Sequence, residues 1–137
     1  MREKEKFAWL NGCFDILHCG HLELFRAAED FADKVIVGID SDERIRQRKG
    51  RQPIFNQYER AEMLSAIWNV HTVVIFDSDE RLRFEIQNSG AKTIIVGQEY
   101  EGKVIGAEFA DRIVYVPRIK PLSTTTIIEK IKNLTNA

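Results

Sequence analysis

The sequence predicts an α/β fold in which helices wind over both faces of a five-stranded parallel sheet. Three observations predict it. Short apolar runs rich in Val and Ile alternate with stretches of helical spacing from one end of the chain to the other. No Pro/Gly/Ser-rich linker and no internal repeat interrupts the alternation. The chain has 137 residues, 44% of them hydrophobic, which suffices for one sizeable core and not for two. A single domain over residues 1–137 is therefore expected.

The first strand is Phe7 to Leu10, apolar at every position, as in a strand covered on both faces. Leu22, Leu24, Phe25 and Ala28 then recur at roughly helical spacing and set a helix near residues 20–32. Val35 to Ile39 is the second strand, and residues 57–68 carry the next helix. Thr72 to Phe76 is the third strand, followed by a helix over 79–89. Thr93 to Val96 is the fourth, followed by a short helix near 103–110, and Ile113 to Val116 is the fifth. A terminal amphipathic helix runs from Ser123 to Asn133, with Ile127, Ile128 and Ile131 on it. Trp9 and Trp68 read as core, and His71, which begins a strand, as structural or solvated.

Strand, helix, strand in this order implies right-handed crossovers and a parallel, Rossmann-like sheet. Ligands of such sheets bind beyond the carboxyl ends of the strands, where the strand order switches. Four segments follow strands and open onto that edge: the turn after the first strand, Asp40 to Asp42, Gly97 to Tyr100, and Pro117 to Thr125.

A formal net charge of −1 gives no global attraction to nucleic acid or to an anionic membrane, so any anion binding must be local. Neither partner is expected. Cys13 and Cys19 are the chain's two cysteines, and no signal peptide or long apolar span is visible. The expected compartment is the reducing cytoplasm, with both thiols free.

The turn after the first strand reads Gly12-Cys13-Phe14-Asp15-Ile16-Leu17-His18-Cys19-Gly20-His21. Its two histidines stand three apart where a helix begins, so their imidazoles point to one side beside free backbone N–H groups and the positive end of the helix dipole. That arrangement can bind charge growing on a phosphorus centre. Gly12 and Gly20 bracket the turn where a backbone must approach a ligand, and Asp15 can hold a histidine tautomer or a metal-bound water. The same residues permit a solvated-histidine reading or a zinc site of Cys13, His18, Cys19 and His21, although structural zinc sites usually separate their ligand pairs.

Arg44, Arg46, Arg48, Lys49 and Arg51 place five cations in eight residues. They form either a solvated face or a basic loop after the second strand that folds over a triphosphate tail, with Lys49 as a point charge. Ser123-Thr124-Thr125 serves as a helix cap and equally as a second anion site, and Arg118 upstream offers a bidentate fork. Arg60 can simply pair with Glu59 or Glu62.

The motif Gly12-Cys13-Phe14-Asp15 with His18-Cys19-Gly20-His21, and Leu122-Ser123-Thr124-Thr125-Thr126 downstream, resembles the signatures of the cytidylyltransferase-like nucleotidyltransferases. The likeness spans nearly the whole chain. Lys49-Gly50-Arg51-Gln52-Pro53-Ile54 and Glu59-Arg60-Ala61-Glu62-Met63-Leu64 are similar to the heptose-phosphate adenylyltransferases of ADP-heptose synthesis. Glu99-Tyr100-Glu101-Gly102-Lys103 and Val116-Pro117-Arg118 are similar to the glycerol-3-phosphate cytidylyltransferases.

This resemblance implies transfer of a nucleoside monophosphate from ATP or CTP to a phosphorylated sugar or polyol, with release of pyrophosphate. His18, His21, Lys49 and Arg118 are then the catalytic set. Gly12, Cys13, Phe14, Asp15, Gly20, Arg51, Gly97, Ser123, Thr124 and Thr125 bind nucleotide and phosphate. Asp42, Arg60, Glu99 and Tyr100 face the acceptor, and Mg²⁺ is the cofactor, with Asp15 as its candidate ligand. Gln98-Glu99 departs from the aspartate that relatives carry after the fourth strand. A homodimer is expected. The rival classes are a non-catalytic nucleotide-binding module and an RNA-binding domain; the second lacks the basicity and exposed aromatic pattern of one.

Overall fold

A computed structural model of the chain describes residues 3–118 and 123–135. Leu122, the first residue of the downstream motif, lies outside them. The elements run β1 (Glu5–Gly12), α1 (Cys19–Ala28), β2 (Ala32–Asp40), α2 (Asp42–Lys49), α3 (Gln57–Ser65), β3 (Val70–Phe76), α4 (Asp79–Ser89), β4 (Thr93–Gly97), β5 (Arg112–Val116) and α5 (Thr124–Thr135). Single 3-10 turns lie at Gln98–Tyr100 and Ala107–Phe109.

All five expected strands form, and they make one parallel sheet in the order β3-β2-β1-β4-β5. Side-chain alternation along them sorts the core into two layers. Ala8, Leu10, Val35, Val37, Ile39 and Ile95 face Phe25 and Ala28 of α1 and Leu64 of α3. Trp9, Ile36 and Ile94 face the other way, onto Leu82 and Ile86 of α4. Helices therefore cover both faces, which is why the central strands read as continuous apolar runs. The order reverses at β1, whose neighbours are β2 and β4, so the crevice for a ligand opens beyond Gly12 and Gly97.

Three expectations need correction. The basic run is not a loop: residues 42–49 form α2, capped by the Ser41 hydroxyl accepting from the Arg44 N–H at 3.1 Å and closed by Gly50 in the left-handed region at φ 70°. The helix expected over 103–110 shrinks to the turn at Ala107–Phe109, because Gly102 and Gly106 both take positive φ and break a right-handed path. Trp68 is not core: it is 49% exposed beyond the end of α3, and its Nε1–H donates to Glu29 Oε1 at 2.5 Å. His71 packs against Phe7 with ring centroids 4.6 Å apart, in keeping with a structural role.

Candidate active site

The turn from β1 to α1 carries the histidines, and they cap the helix themselves. His18 is the N-cap residue in extended backbone, and its Nδ1 accepts the Gly20 N–H at 3.1 Å. His21 Nδ1 accepts the His18 N–H at 3.3 Å. This reciprocal pair does the work that Ser and Glu do in an ordinary capping box. The rings stack with centroids 3.9 Å apart and planes 27° apart. Phe14, buried and in the left-handed region at φ 50°, sets its ring edge-on to His21 at 5.1 Å and so fixes the second imidazole.

An imidazole that spends Nδ1 as an acceptor carries its proton on Nε2. Burial, then the neighbouring His18 and Arg118, push His21 down to about 4. Burial and Arg118 also lower His18. The pair is thus neutral at pH 7 and presents two adjacent Nε2–H donors, not two imidazolium charges.

The histidines border a cavity of about 460 Å³ at the carboxyl edge of the sheet. From the first turn come Gly12, Cys13, Phe14, His18, Gly20 and His21. Lys49 reaches it from α2, and Gly97, Glu99 and Tyr100 from beyond β4. Arg118, Ser123, Thr124 and Thr125 close it beyond β5. Arg118 Nη2 stands 3.5 Å from Glu99 Oε1 and so links the last two loops. The Ser123 hydroxyl accepts the Thr126 N–H at 3.1 Å, capping α5. Ile95, Val96, Val104 and Ile105 supply an apolar wall.

Four sequence-assigned residues stand outside this cavity, and each holds its walls instead. Asp15, 5% exposed, accepts the Phe55 N–H on Oδ1 and the Ile54 N–H on Oδ2, both at 2.9 Å, while Arg51 Nη1 lies 3.6 Å from Oδ2. Asp15 and Arg51 therefore pin the segment after α2 against the first turn, and neither lines the cavity. Arg60, 1% exposed, donates to Phe55 O, Cys13 O and Asp40 O at 2.8–3.0 Å and pairs with Asp42 Oδ1 at 2.7 Å. Its fork bolts the ends of β1 and β2 together, which leaves neither Arg60 nor Asp42 for an acceptor.

Asp15 accordingly does not fit a magnesium ligand, since both oxygens are engaged by backbone donors. Among the described residues no three His, Cys, Asp or Glu side chains group as a metal site. Cys13 donates its thiol to Asp40 Oδ2 at 3.4 Å and is pushed up to about 11, by burial first and then by Asp40, so it is a donor and not a nucleophile.

Asp40, Arg44, Arg48 and Lys103, which the sequence places in candidate segments without a role of their own, also line the cavity. The first three carried a signal: Asp40 ends a strand, and Arg44 and Arg48, four apart, share one face once residues 42–49 are read as a helix. Lys103 is marked only by the stretch that resembles the glycerol-3-phosphate cytidylyltransferases.

Residues 9–130 match the family described as cytidylyltransferase-like. Among curated relatives, the bifunctional protein HldE of Koribacter versatilis (strain Ellin345) is 40% identical over 136 residues, 94% of this chain and 28% of its own length. HldE of Campylobacter fetus subsp. fetus (strain 82-40) is 38% identical over 133 residues, 96% of this chain and 29% of its own. The chain thus spans less than a third of the length of these relatives. Among solved structures, the lipopolysaccharide core biosynthesis protein from Thermoplasma volcanium GSS1 superposes with a TM-score of 0.69 at 20% identity, over 84% of this chain and 98% of that one. Thermotoga maritima TmcAL bound with alpha-thio ATP gives 0.69 at 12% identity, over 95% and 51%. These two likenesses concern the fold.

Proposed function

As the chain belongs to the cytidylyltransferase-like family and is a nucleotidyltransferase, we propose that it moves an adenylyl group from ATP to a heptose-like sugar phosphate and releases pyrophosphate. The observation that carries this reading is the stacked histidine pair with both Nδ1 atoms held by backbone N–H groups. As the acceptor's phosphate oxygen attacks the α-phosphorus in line, negative charge grows on the phosphoryl oxygens. Two fixed Nε2–H donors stabilise that charge with little reorganisation. No covalent enzyme intermediate is needed, and the rest of catalysis is positioning.

Lys49 holds the leaving pyrophosphate as a point charge. Arg118 and the hydroxyls and N–H groups at the start of α5 take the β and γ phosphates. A Mg²⁺ would supply charge neutralisation and would arrive with the nucleotide, not through Asp15.

The choice of a sugar phosphate is supported by the HldE relatives at 38–40% identity and by the likeness of residues 49–54 and 59–64 to heptose-phosphate adenylyltransferases. A second reading, CTP with glycerol 3-phosphate, is favoured by Tyr100 and Lys103 on the cavity wall. One assay separates them: pyrophosphate release with ATP or CTP against heptose 1-phosphate, other sugar phosphates and glycerol 3-phosphate. Release with ATP and a sugar phosphate is expected. Release with CTP and glycerol 3-phosphate alone would reverse the choice, and none with any pair would leave only a nucleotide-binding module.

A further inference from the structure

At the carboxyl end of β2 lies a carboxylate to which the transfer chemistry gives no task. Asp40 is 7% exposed and lines the cavity. Its Oδ2 receives the Cys13 thiol at 3.4 Å and stands 3.8 Å from Arg44 Nε. No described residue donates a hydrogen bond to Oδ1. Arg44, also 7% exposed, is committed elsewhere: Nη2 pairs with Asp79 Oδ1 at 2.6 Å, the guanidinium lies over the Phe76 ring at 5.2 Å, and buried Nε has no hydrogen-bond partner. Tyr100 lines the same cavity, and its hydroxyl donates to no described residue; burial, then Glu99, Cys13 and Asp40 raise its pKa and keep it a donor.

The charges at this spot decide what fits. Arg44 sits between two carboxylates, Asp40 and Asp79, so its cation is already engaged and is not offered to an incoming phosphate. A buried carboxylate with a vacant acceptor oxygen, near a phenol that can donate, matches a neutral hydroxyl, which donates once and accepts as well. The free cations on this side, Arg48 and Lys49, lie a turn further along α2. A phosphate end and a hydroxyl end are thus ordered along one helix.

We propose that Asp40, with Tyr100, sets acceptor specificity by hydrogen-bonding a hydroxyl of a polyhydroxylated sugar phosphate. This rests on the transfer reading above for the identity of the site. A sugar hydroxyl can come from the acceptor or from the ribose of the nucleotide, and the assignment is to the acceptor, because a carboxylate at Asp40 repels the triphosphate that the ribose carries more strongly than the single phosphate of the acceptor.

Asp40→Asn, assayed with ATP and heptose 1-phosphate, should raise the KM for the sugar phosphate at least about tenfold while kcat and the KM for ATP change less than about threefold. One monodeoxy analogue should be poor on the wild type and indifferent to the substitution. A rise confined to the KM for ATP would give the hydroxyl to ribose and overturn the proposal. Equal losses with heptose 1-phosphate and every deoxy analogue would mark Asp40 as merely structural and overturn it too. Calorimetry with heptose 1-phosphate and with ATP, each alone, separates this from failure of the transfer reading. If no acceptor takes up nucleotide, weaker sugar-phosphate binding by Asp40→Asn with unchanged ATP binding still upholds Asp40. Equal sugar-phosphate binding by both proteins, or none by the wild type, overturns it.

Discussion

His18 and His21 act through what their other nitrogens do. Because each Nδ1 is held by a backbone N–H, alanine at either position removes a donor and frays the start of α1 together. We expect His18→Ala or His21→Ala to lower kcat at least about a hundredfold, with smaller effects on triphosphate binding; near-normal turnover in both would remove the pair from the mechanism. Since burial holds His21 near 4 and lowers His18, kcat should show no acid limb near the ordinary histidine pKa of about 6.5. The sign for stability follows: the unfolded chain takes up protons on these histidines before the native one does. Stability is therefore intact above about pH 6.5 and lost as pH falls toward about 4, which urea midpoints at stepped pH will read. Arg60 belongs to the same scale. Arg60→Met strands three carbonyls and Asp42, and should cost about 3 kcal/mol or more by urea unfolding. The histidine pair was legible from its spacing, but the roles of Arg60 and Asp15 were not, since their partners lie up to 47 residues away; residue type alone suggested a ligand role for groups that hold walls.

At the scale of elements, α2 shows both what the sequence reveals and why part of it escapes. Ser41, then Asp42 and Glu43, then Arg46 to Lys49 and Gly50 is a cap, an acidic first turn, a basic last turn and a stop. The helix was written there, but with a single buried apolar residue, Ile45, periodicity had almost nothing to register. The five strands, by contrast, were legible because burial on both faces leaves unbroken Val and Ile runs. Reading 42–49 as helix also explains the fate of its cations. Arg44 is drawn into the core edge by Asp40 and Asp79, Arg46 pairs with Glu43, and Arg48 and Lys49 are left to the cavity. If Lys49 meets the outer phosphates, Lys49→Ala should weaken ATP binding at least about tenfold and AMP binding less than about threefold, by calorimetry. Equal losses would show that the lysine acts elsewhere.

The whole molecule leaves apolar surface where its strapping ends. Asp15 fixes the backbone of Ile54 and Phe55, yet the side chains of Ile54, Phe55 and Tyr58 are 55%, 41% and 71% exposed. A segment held rigidly by a buried carboxylate, with three large apolar side chains turned outward, is organised for contact and not for solvent. A twofold partner suits it, because one self-complementary patch then covers both copies and the assembly closes. None of these three residues lines the cavity, so pairing through them uses a surface other than the cavity lining. We therefore propose the homodimer that the family resemblance implies, formed through this segment. Light scattering at micromolar concentration should return twice the chain mass of 15.8 kDa. Tyr58→Glu should shift that mass to one chain, because two carboxylates brought together at an isologous contact repel and lose hydration. Tyr58 is not one of the residues lining the cavity, so the rate per chain in the monomeric variant separates pairing from catalysis: a retained rate makes each site self-sufficient. A wild-type mass of one chain would overturn the dimer, and an unchanged mass in the variant would move the contact to another face.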